Sequence, residues 1–205
     1  MIKTFSSRAG RLSETNKFYL HKKSKCIFSE KKLIIHEQKV LDVGFGDSDS
    51  FCKDIIENDD FLFFGAEPYK KGFSRAVEFY EKNNVENMIL FNGDVRDLLE
   101  KVKFCFDFIR IHFPDPWPKK KHIKRRLVTK EFLIYLSNKL SDNGLVQIIT
   151  DSQKYQDHIE EEIKLQNKLS LSKKLFPIKY NESSFYKKAL IKKNNIKEFI
   201  LQKSG

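Results

Sequence analysis

The 205-residue sequence has no apolar run approaching the roughly 20 residues that cross a bilayer. Met1 to Leu20 is polar and basic with no apolar core, so neither a membrane span nor a secretory signal is expected, and the cytoplasm is. Cysteine is scarce: Cys26, Cys52 and Cys105 lie far apart, in no Cys-x-x-Cys pair and no Cys/His zinc spacing. A disulfide framework and a metal site are therefore not expected, whereas buried or free thiols in a reducing compartment are. Low-complexity linkers and internal repeats are missing, so one catalytic-sized domain suffices. Acidic residues are outnumbered, 28 against 39 Lys and Arg, which leaves a net charge of +11. Such a chain is drawn to polyanions, nucleic acid before a membrane surface, unless the charge serves solubility alone.

Hydrophobic residues at 40% and charged residues at 33% fit a soluble globular chain with a substantial core. Residues 1–36 read as a basic N-terminal extension containing Arg8, Gly10, Arg11, Lys17, Lys22, Lys23 and Lys25, either a partly ordered arm or an idle terminus. From there, residues 37–205 read as the domain. Its short apolar runs predict strands at Val40–Val43, Phe61–Ala66, Asn87–Phe91, Phe106–Phe113 and Gly144–Thr150. Between them lie helical stretches at Phe51–Glu57, Phe73–Lys82, around Leu98-Leu99 and at Lys130–Lys139, with a long one at Gln153–Lys168. The alternation predicts an α/β, Rossmann-like, doubly wound and mostly parallel sheet with helices on both faces. Two β-like runs in the tail, Leu171–Ile178 and Ile196–Gln202, with little helix between them, are expected to pair antiparallel at the sheet edge.

Open α/β sheets bind ligands beyond the carboxyl ends of their strands, and each of the first three strands carries a carboxylate there. Asp42 lies in Leu41-Asp42-Val43-Gly44-Phe45-Gly46, Glu67 follows the second strand, and Asp94-Val95 follows the third. Gly44 and Gly46 permit a tight turn and a close backbone approach, although the pair by itself is equally a plain strand–helix turn. Glu67 stands where a carboxylate accepts bonds from two ribose hydroxyls. Asp94 suits an exocyclic adenine amine, and Asp42 the cationic amino-acid end of a cofactor. Asp49 occupies the place of the third glycine of a dinucleotide fingerprint. Carboxylates here would repel a pyrophosphate but suit a sulfonium and an ammonium, which points to S-adenosylmethionine, with S-adenosylhomocysteine as product.

The stretch Phe113-Pro114-Asp115-Pro116-Trp117-Pro118 ends the fourth strand in a stiff loop, because each proline fixes φ and lacks an N–H. Asp115 is the candidate catalytic carboxylate and a candidate cofactor contact; Trp117 either stacks on a base or packs under the loop. From Lys119 to Arg126 only Ile123 is neither basic nor His. Lys119, Lys121, His122, Lys124, Arg125 and Arg126 would lay a phosphate-binding strip beside Asp115, the alternative being a solvated face.

These residues resemble the tRNA (guanine-N7)-methyltransferases. The family's glycine-rich turn is matched by Asp42 to Gly46, its acidic residues after strands two and three by Glu67 and Asp94. Its Phe-Pro-Asp-Pro-Trp hallmark is matched by Phe113 to Trp117, its basic run by Lys119 and His122 to Arg126, and its Thr-Asp by Thr150 and Asp151. Arg8-Ala9-Gly10-Arg11-Leu12 is similar to its N-terminal Arg-x-Gly-Arg-Leu. The resemblance implies tRNA as partner and a guanine at position 46 of the variable loop as target; no membrane is expected from the composition, and the sequence does not decide between a monomer and a homodimer. It also implies that Lys119 and Asp151 orient the base and that Ser183, Phe185 and Tyr186 contact substrate. Two positions depart from the pattern. Ser48 replaces a third glycine, at an expected modest cost because Ser is small. Tyr186 replaces a Glu, and a phenol does not substitute for a carboxylate at neutral pH. A catalytically weak RNA-binding protein on a methyltransferase scaffold is the alternative.

Overall fold

The computed structural model describes residues 11–30 and 38–204. These form two compact units, one holding residues 11–103 with Ile178–Ser184, the other Phe104–Pro177 with 185–204. Arg8 and Gly10 of the expected arm lie outside the described residues.

The first unit carries α1 (Glu14–His21), β1 (Lys39–Val43), α2 (Asp49–Glu57), β2 (Leu62–Ala66), α3 (Lys70–Asn83), β3 (Met88–Phe91) and α4 (Val95–Lys101). Its strands run parallel in the order β3-β2-β1, with Asp42 opposite Gly65 and Phe64 opposite Ile89. All five residues of β2 are buried, as strands covered on both faces must be. Helix α1 was not legible in the extension. Ser13 caps it in a reciprocal box with Asn16, and the buried Asn16 amide donates to the Ser74 hydroxyl of α3 at 3.1 Å.

The second unit carries β4 (Phe106–His112), a 3-10 turn (Lys120–Arg125), α5 (Lys130–Ser137), β5 (Leu140–Thr150), α6 (Gln153–Lys164), β6 (Leu169–Leu171), α7 (Ser184–Ile191) and β7 (Lys197–Lys203). Its strand order is β4-β5-β7-β6, parallel for the first pair and antiparallel for the other two. The expected class, a mostly parallel Rossmann-like α/β fold with antiparallel strands at its edge, is the one observed. Three details differ. Helix α6 stops at Lys164 rather than Lys168, because the Gln166 side chain accepts from the N–H groups of Lys168 and Leu169 and turns the chain into β6. The tail's first strand is Leu169–Leu171 and not Leu171–Ile178, since the Ser172 hydroxyl accepts from the Lys174 N–H and curls the chain away. And α7 stands between the two tail strands, where little helix was expected.

A polar ladder crosses β4, β5 and β7. The His112 Nε2 lies 2.6 Å from the Gln147 Oε1, and the Gln147 amide donates to Glu198. With its N–H₂ engaged by Glu198, Gln147 offers His112 an acceptor, so Nε2 carries the proton. Cys26 and Cys52 are buried and Cys105 is exposed, with no disulfide among them. Among the described residues no helix is long and apolar enough to cross a membrane.

The turn after β1 is built on left-handed backbone: Gly44, Gly46 and Ser48 have φ of 76°, 66° and 74°. Position 48 therefore favours glycine for its backbone and not for its size. A Cβ on Gly72, in the first turn of α3, would lie 1.7 Å from the Gly46 carbonyl oxygen. Substitutions at these two positions have opposite signs. Ser48→Gly relieves a left-handed residue, worth about 1–2 kcal/mol, against loss of a hydroxyl contact to the Cys52 thiol, and should raise the denaturation midpoint. Gly72→Ala gains about 1 kcal/mol of helix propensity but drives a methyl into backbone, so the clash wins and the midpoint should fall.

Candidate functional site

In the first unit, Glu67 is fixed by backbone. Its Oε2 accepts from the Gly46 N–H at 2.6 Å and its Oε1 from the Tyr69 N–H at 2.7 Å. Each oxygen is thereby aimed by a backbone donor. The Gly44 N–H donates to the Ala66 carbonyl at 2.8 Å, so the glycine turn and the end of β2 are tied twice. Asn92 donates to the Glu67 carbonyl at 2.8 Å. Asp42, on β1, is buried, and Val95 opens α4 from a buried position. Asp94 is more committed than its sequence suggests. It caps α4 by accepting from the Arg96 N–H at 3.0 Å and forms a two-pronged ion pair with the Arg96 guanidinium, Nε at 2.8 Å and Nη2 on the other oxygen. Three of its roughly four acceptor sites are filled, which leaves about one for a ligand amine.

A segment missed in the sequence completes this unit. The Asp54 carboxylate on α2 accepts from the backbone N–H and side-chain amide of Asn181, at 2.6 and 2.9 Å. Asn58 exchanges bonds with Lys179, donating to its carbonyl at 3.0 Å and accepting from its N–H at 3.2 Å. Ser183 follows two residues after this anchor. Neither Asp54 nor Asn58 carries a motif; their spacing of four on a short helix gives the only signal.

In the second unit, the Pro-rich loop starts and ends in left-handed backbone, Phe113 at φ 49° and Trp117 at φ 40°. Bulky side chains there cost about 1–3 kcal/mol each and persist only where neighbours fix them. Phe113 is held by its N–H on the Ile149 carbonyl at 2.7 Å and by an edge-to-face contact with Tyr186, ring centroids 5.8 Å apart. Trp117 packs edge-on against His122 at 5.5 Å, with the Arg125 guanidinium 5.0 Å from its ring. Of the two roles open to Trp117, packing within the loop has these contacts. Asp115 sits exposed at the loop's apex. Desolvation by the protein around it raises its carboxyl above the ordinary range.

The basic strip divides. With three residues per turn, the 3-10 geometry stacks Lys121 over Lys124 and His122 over Arg125. Lys119, Lys121 and Lys124 are exposed, whereas His122 and Arg125 attend Trp117. Partial burial and the cations Arg125, Lys121 and Lys119 hold the His122 imidazole below its usual range. Arg126 is not part of the exposed strip. It is buried, its Nε donates to the Pro116 carbonyl at 3.0 Å, and its guanidinium lies 5.2 Å from the Tyr155 ring. Tyr155 stacks on His158 and accepts from the Val128 N–H at 3.1 Å; burial pushes its phenol well up. The Arg126–Tyr155–His158 column thus props the Asp115 loop from beneath. Sequence reading missed Tyr155 and His158, which look like ordinary amphipathic helix residues. Asp151 accepts from the Asn194 amide at 2.7 Å, and Phe185 is exposed beside Lys188.

The chain matches a family model described as "Putative methyltransferase" over residues 36–199. It is 34% identical over 169 residues to a tRNA (guanine-N(7)-)-methyltransferase of Wolbachia pipientis, covering 81% of this chain and 76% of the relative. To a protein of the same description from Neorickettsia sennetsu it is 37% identical over 161 residues, 77% of this chain and 73% of the relative. A Streptococcus mutans protein solved in complex with SAH shares the fold at a TM-score of 0.54 and 10% identity, covering 83% of this chain and 91% of that one.

The raised carboxyl of Asp115 sets the sign of a stability effect. A carboxyl whose folded pKa exceeds its unfolded value favours the folded state while protonated, and that contribution is lost as pH rises through the raised pKa. Asp115→Asn should therefore be at least as stable as the parent at pH 7, and the difference should shrink as pH falls below the ordinary carboxylate range. Thermal melts of both proteins across pH 3–8 measure this.

Proposed function

Because the chain belongs to the tRNA (guanine-N7)-methyltransferase family, we propose that it transfers a methyl group from S-adenosylmethionine to N7 of a guanine in tRNA, at position 46 of the variable loop, with the residues above as its site. The observation that carries the assignment of the cofactor is the donor set of the first unit. Glu67, aimed by two backbone N–H groups, suits a ribose diol. The last acceptor site of Asp94 suits an adenine amine, and the backbone of Val95 lies next to it. Asp42 suits an ammonium group, and Gly44 and Gly46 let the chain come close. The residues fit a cationic nucleoside and would repel a pyrophosphate. When bound, S-adenosylmethionine supplies an electrophilic methyl on a sulfonium.

The target atom dictates what the protein must do. Guanine N7 carries a lone pair and no proton, so no general base is required. What remains is alignment and electrostatic stabilisation as positive charge arises on the base. Asp115 accepts from the guanine N1–H and N2 amine, which selects guanine and stabilises its cationic product. Lys119 and Asp151 orient the base, while Lys121, Lys124 and Arg125, with His122, receive phosphates. Arg126 acts through the loop, by holding the Pro116 carbonyl. Ser183 and Phe185 contact the substrate, and Tyr186 serves by packing on Phe113. No observation favours a scaffold without activity.

Unmodified tRNA incubated with labelled S-adenosylmethionine should acquire N7-methylguanosine. Asp115→Asn should keep most cofactor affinity and lose roughly 10- to 100-fold in rate, the worth of hydrogen bonds to a charged group. The rate should be flat at neutral and basic pH, with an acid limb above the ordinary carboxylate range. A tRNA with 7-deazaguanine at the target should bind without reacting; its methylation at that nucleotide would remove both the N7 assignment and the role of Asp115.

A further inference from the structure

Helix α7 and the turn after it carry a second charged surface that the site above does not use. Between Ser183 and Lys197 the chain has five lysines and no acidic residue. Lys187, Lys188, Lys192 and Lys193 are exposed and make no ion pair among the described residues. Some lysines elsewhere are paired with neighbours: Lys17 with Glu14, Lys22 with Glu81, Lys82 with Glu78, Lys101 with Glu30, Lys203 with Asp142. Within the same stretch Lys197 is paired with Glu160.

Helix stability explains three of these four exposed lysines. Lys192 and Lys193 sit at the C-terminal end, where the helix dipole favours cations. There the Asn194 N–H reaches the Ala189 carbonyl and the Lys193 N–H the Leu190 carbonyl, which closes a Schellman turn. Lys188 lies in the last turn and shares that support, whereas Lys187, one residue earlier, draws less from it, and Ala189 is the one buried residue of the helix. A lysine also occupies the left-handed position of the turn, φ 54° at Lys193, where glycine would be unstrained. Packing selects none of these four exposed cations.

Their placement does. Tyr186 at the start of α7 packs on Phe113, the residue that opens the Asp115 loop. Asn194, just beyond its end, binds the carboxylate of Asp151 at the end of β5. The helix is thus pinned at both ends to the strand ends that carry the proposed catalytic groups. Phe185, 53% exposed with Lys188 5.5 Å from its ring, adds an aromatic face beside the charge.

We infer that the lysine cluster of α7 and the turn after it is a second tRNA contact, which takes sugar–phosphate backbone separately from the Lys119–Arg125 strip. The inference rests on tRNA being the substrate. Phosphates are its complement, since four uncompensated, exposed cations within seven residues of chain attract a polyanion better than any neutral surface does. Leu190 and Ile191 are exposed on the same helix, at 49% and 81%, so a protein surface is the competing occupant.

The test uses the full chain and an unmodified tRNA transcript. Lys187, Lys188, Lys192 and Lys193 are changed together to Ala, and in a second variant to Arg. The Ala variant should bind tRNA about tenfold or more weakly at moderate salt and lower the log–log salt slope by roughly 1–3, since each phosphate contact contributes about 0.7–0.9. Cofactor affinity, thermal midpoint and the rate at saturating tRNA should be unchanged, and the Arg variant should restore the slope. An unchanged slope overturns the inference. So does an unchanged slope together with altered sedimentation of Leu190→Ser/Ile191→Ser, which would make the face a protein contact. Failure of the wild type to methylate guanine N7 would instead sink the underlying assignment, a result the binding data cannot mimic.

Discussion

The carboxylate of Glu67 holds two backbone N–H groups that belong to different segments, Gly46 in the turn after β1 and Tyr69 at the start of α3. Charge-assisted bonds of this kind are short and about twice as strong as neutral ones. Much of the first unit's ligand end depends on them. With the turn drawn onto Glu67, the Gly46 carbonyl comes so close to α3 that only glycine fits at position 72. The turn's left-handed residues are then held in place, α2 starts from Ser48, and the oxygens of Glu67 are aimed before any ligand arrives. A single side chain therefore sets both the local backbone and the chemistry offered.

The second unit uses a different device. Its proline-rich loop is held from several sides: Phe113 by Tyr186, Trp117 by His122 and Arg125, and the Pro116 carbonyl by Arg126 above Tyr155. These contacts offset the left-handed backbone at the two aromatics. They also give Tyr186 a structural role, since its ring buttresses Phe113.

The strands were legible because each is a short, dense apolar run, and the strand-end carboxylates because a parallel sheet puts its functional groups there. Glycines 44 and 46 declared the turn. Position 48 was misread because size was considered instead of backbone sign. Helices α1 and α7 were illegible for a shared reason: each is eight residues long and buries a single side chain, Asn16 and Ala189, so no hydrophobic period can emerge. The run from Lys119 to Arg126 was legible as charge but not as geometry. Seven basic or His residues look equivalent in sequence, yet a three-residue period and one buried contact send Lys121 outward, Arg125 onto Trp117 and Arg126 beneath the loop. Tyr155, Asp54 and Asn58 act through partners distant in the chain, information that no local pattern contains.

The anchor of Lys179 and Asn181 on α2 has a consequence for how the protein is made. Asn58 must wait for a partner 121 residues downstream, and at synthesis rates of about 5–20 residues per second that interval lasts several seconds or more. During it the Asp54 carboxylate lacks Asn181 and the Asn58 side chain lacks Lys179. The first unit, although nine-tenths of it emerges early from the ribosome, is left unfinished until its late segment arrives. Loop closure over such a span is slow and non-local, so the last step of assembly falls on the same stretch of chain that leads into Ser183 and α7, and a nascent chain is kept from presenting a finished RNA-modifying surface before nearly all of it has been translated.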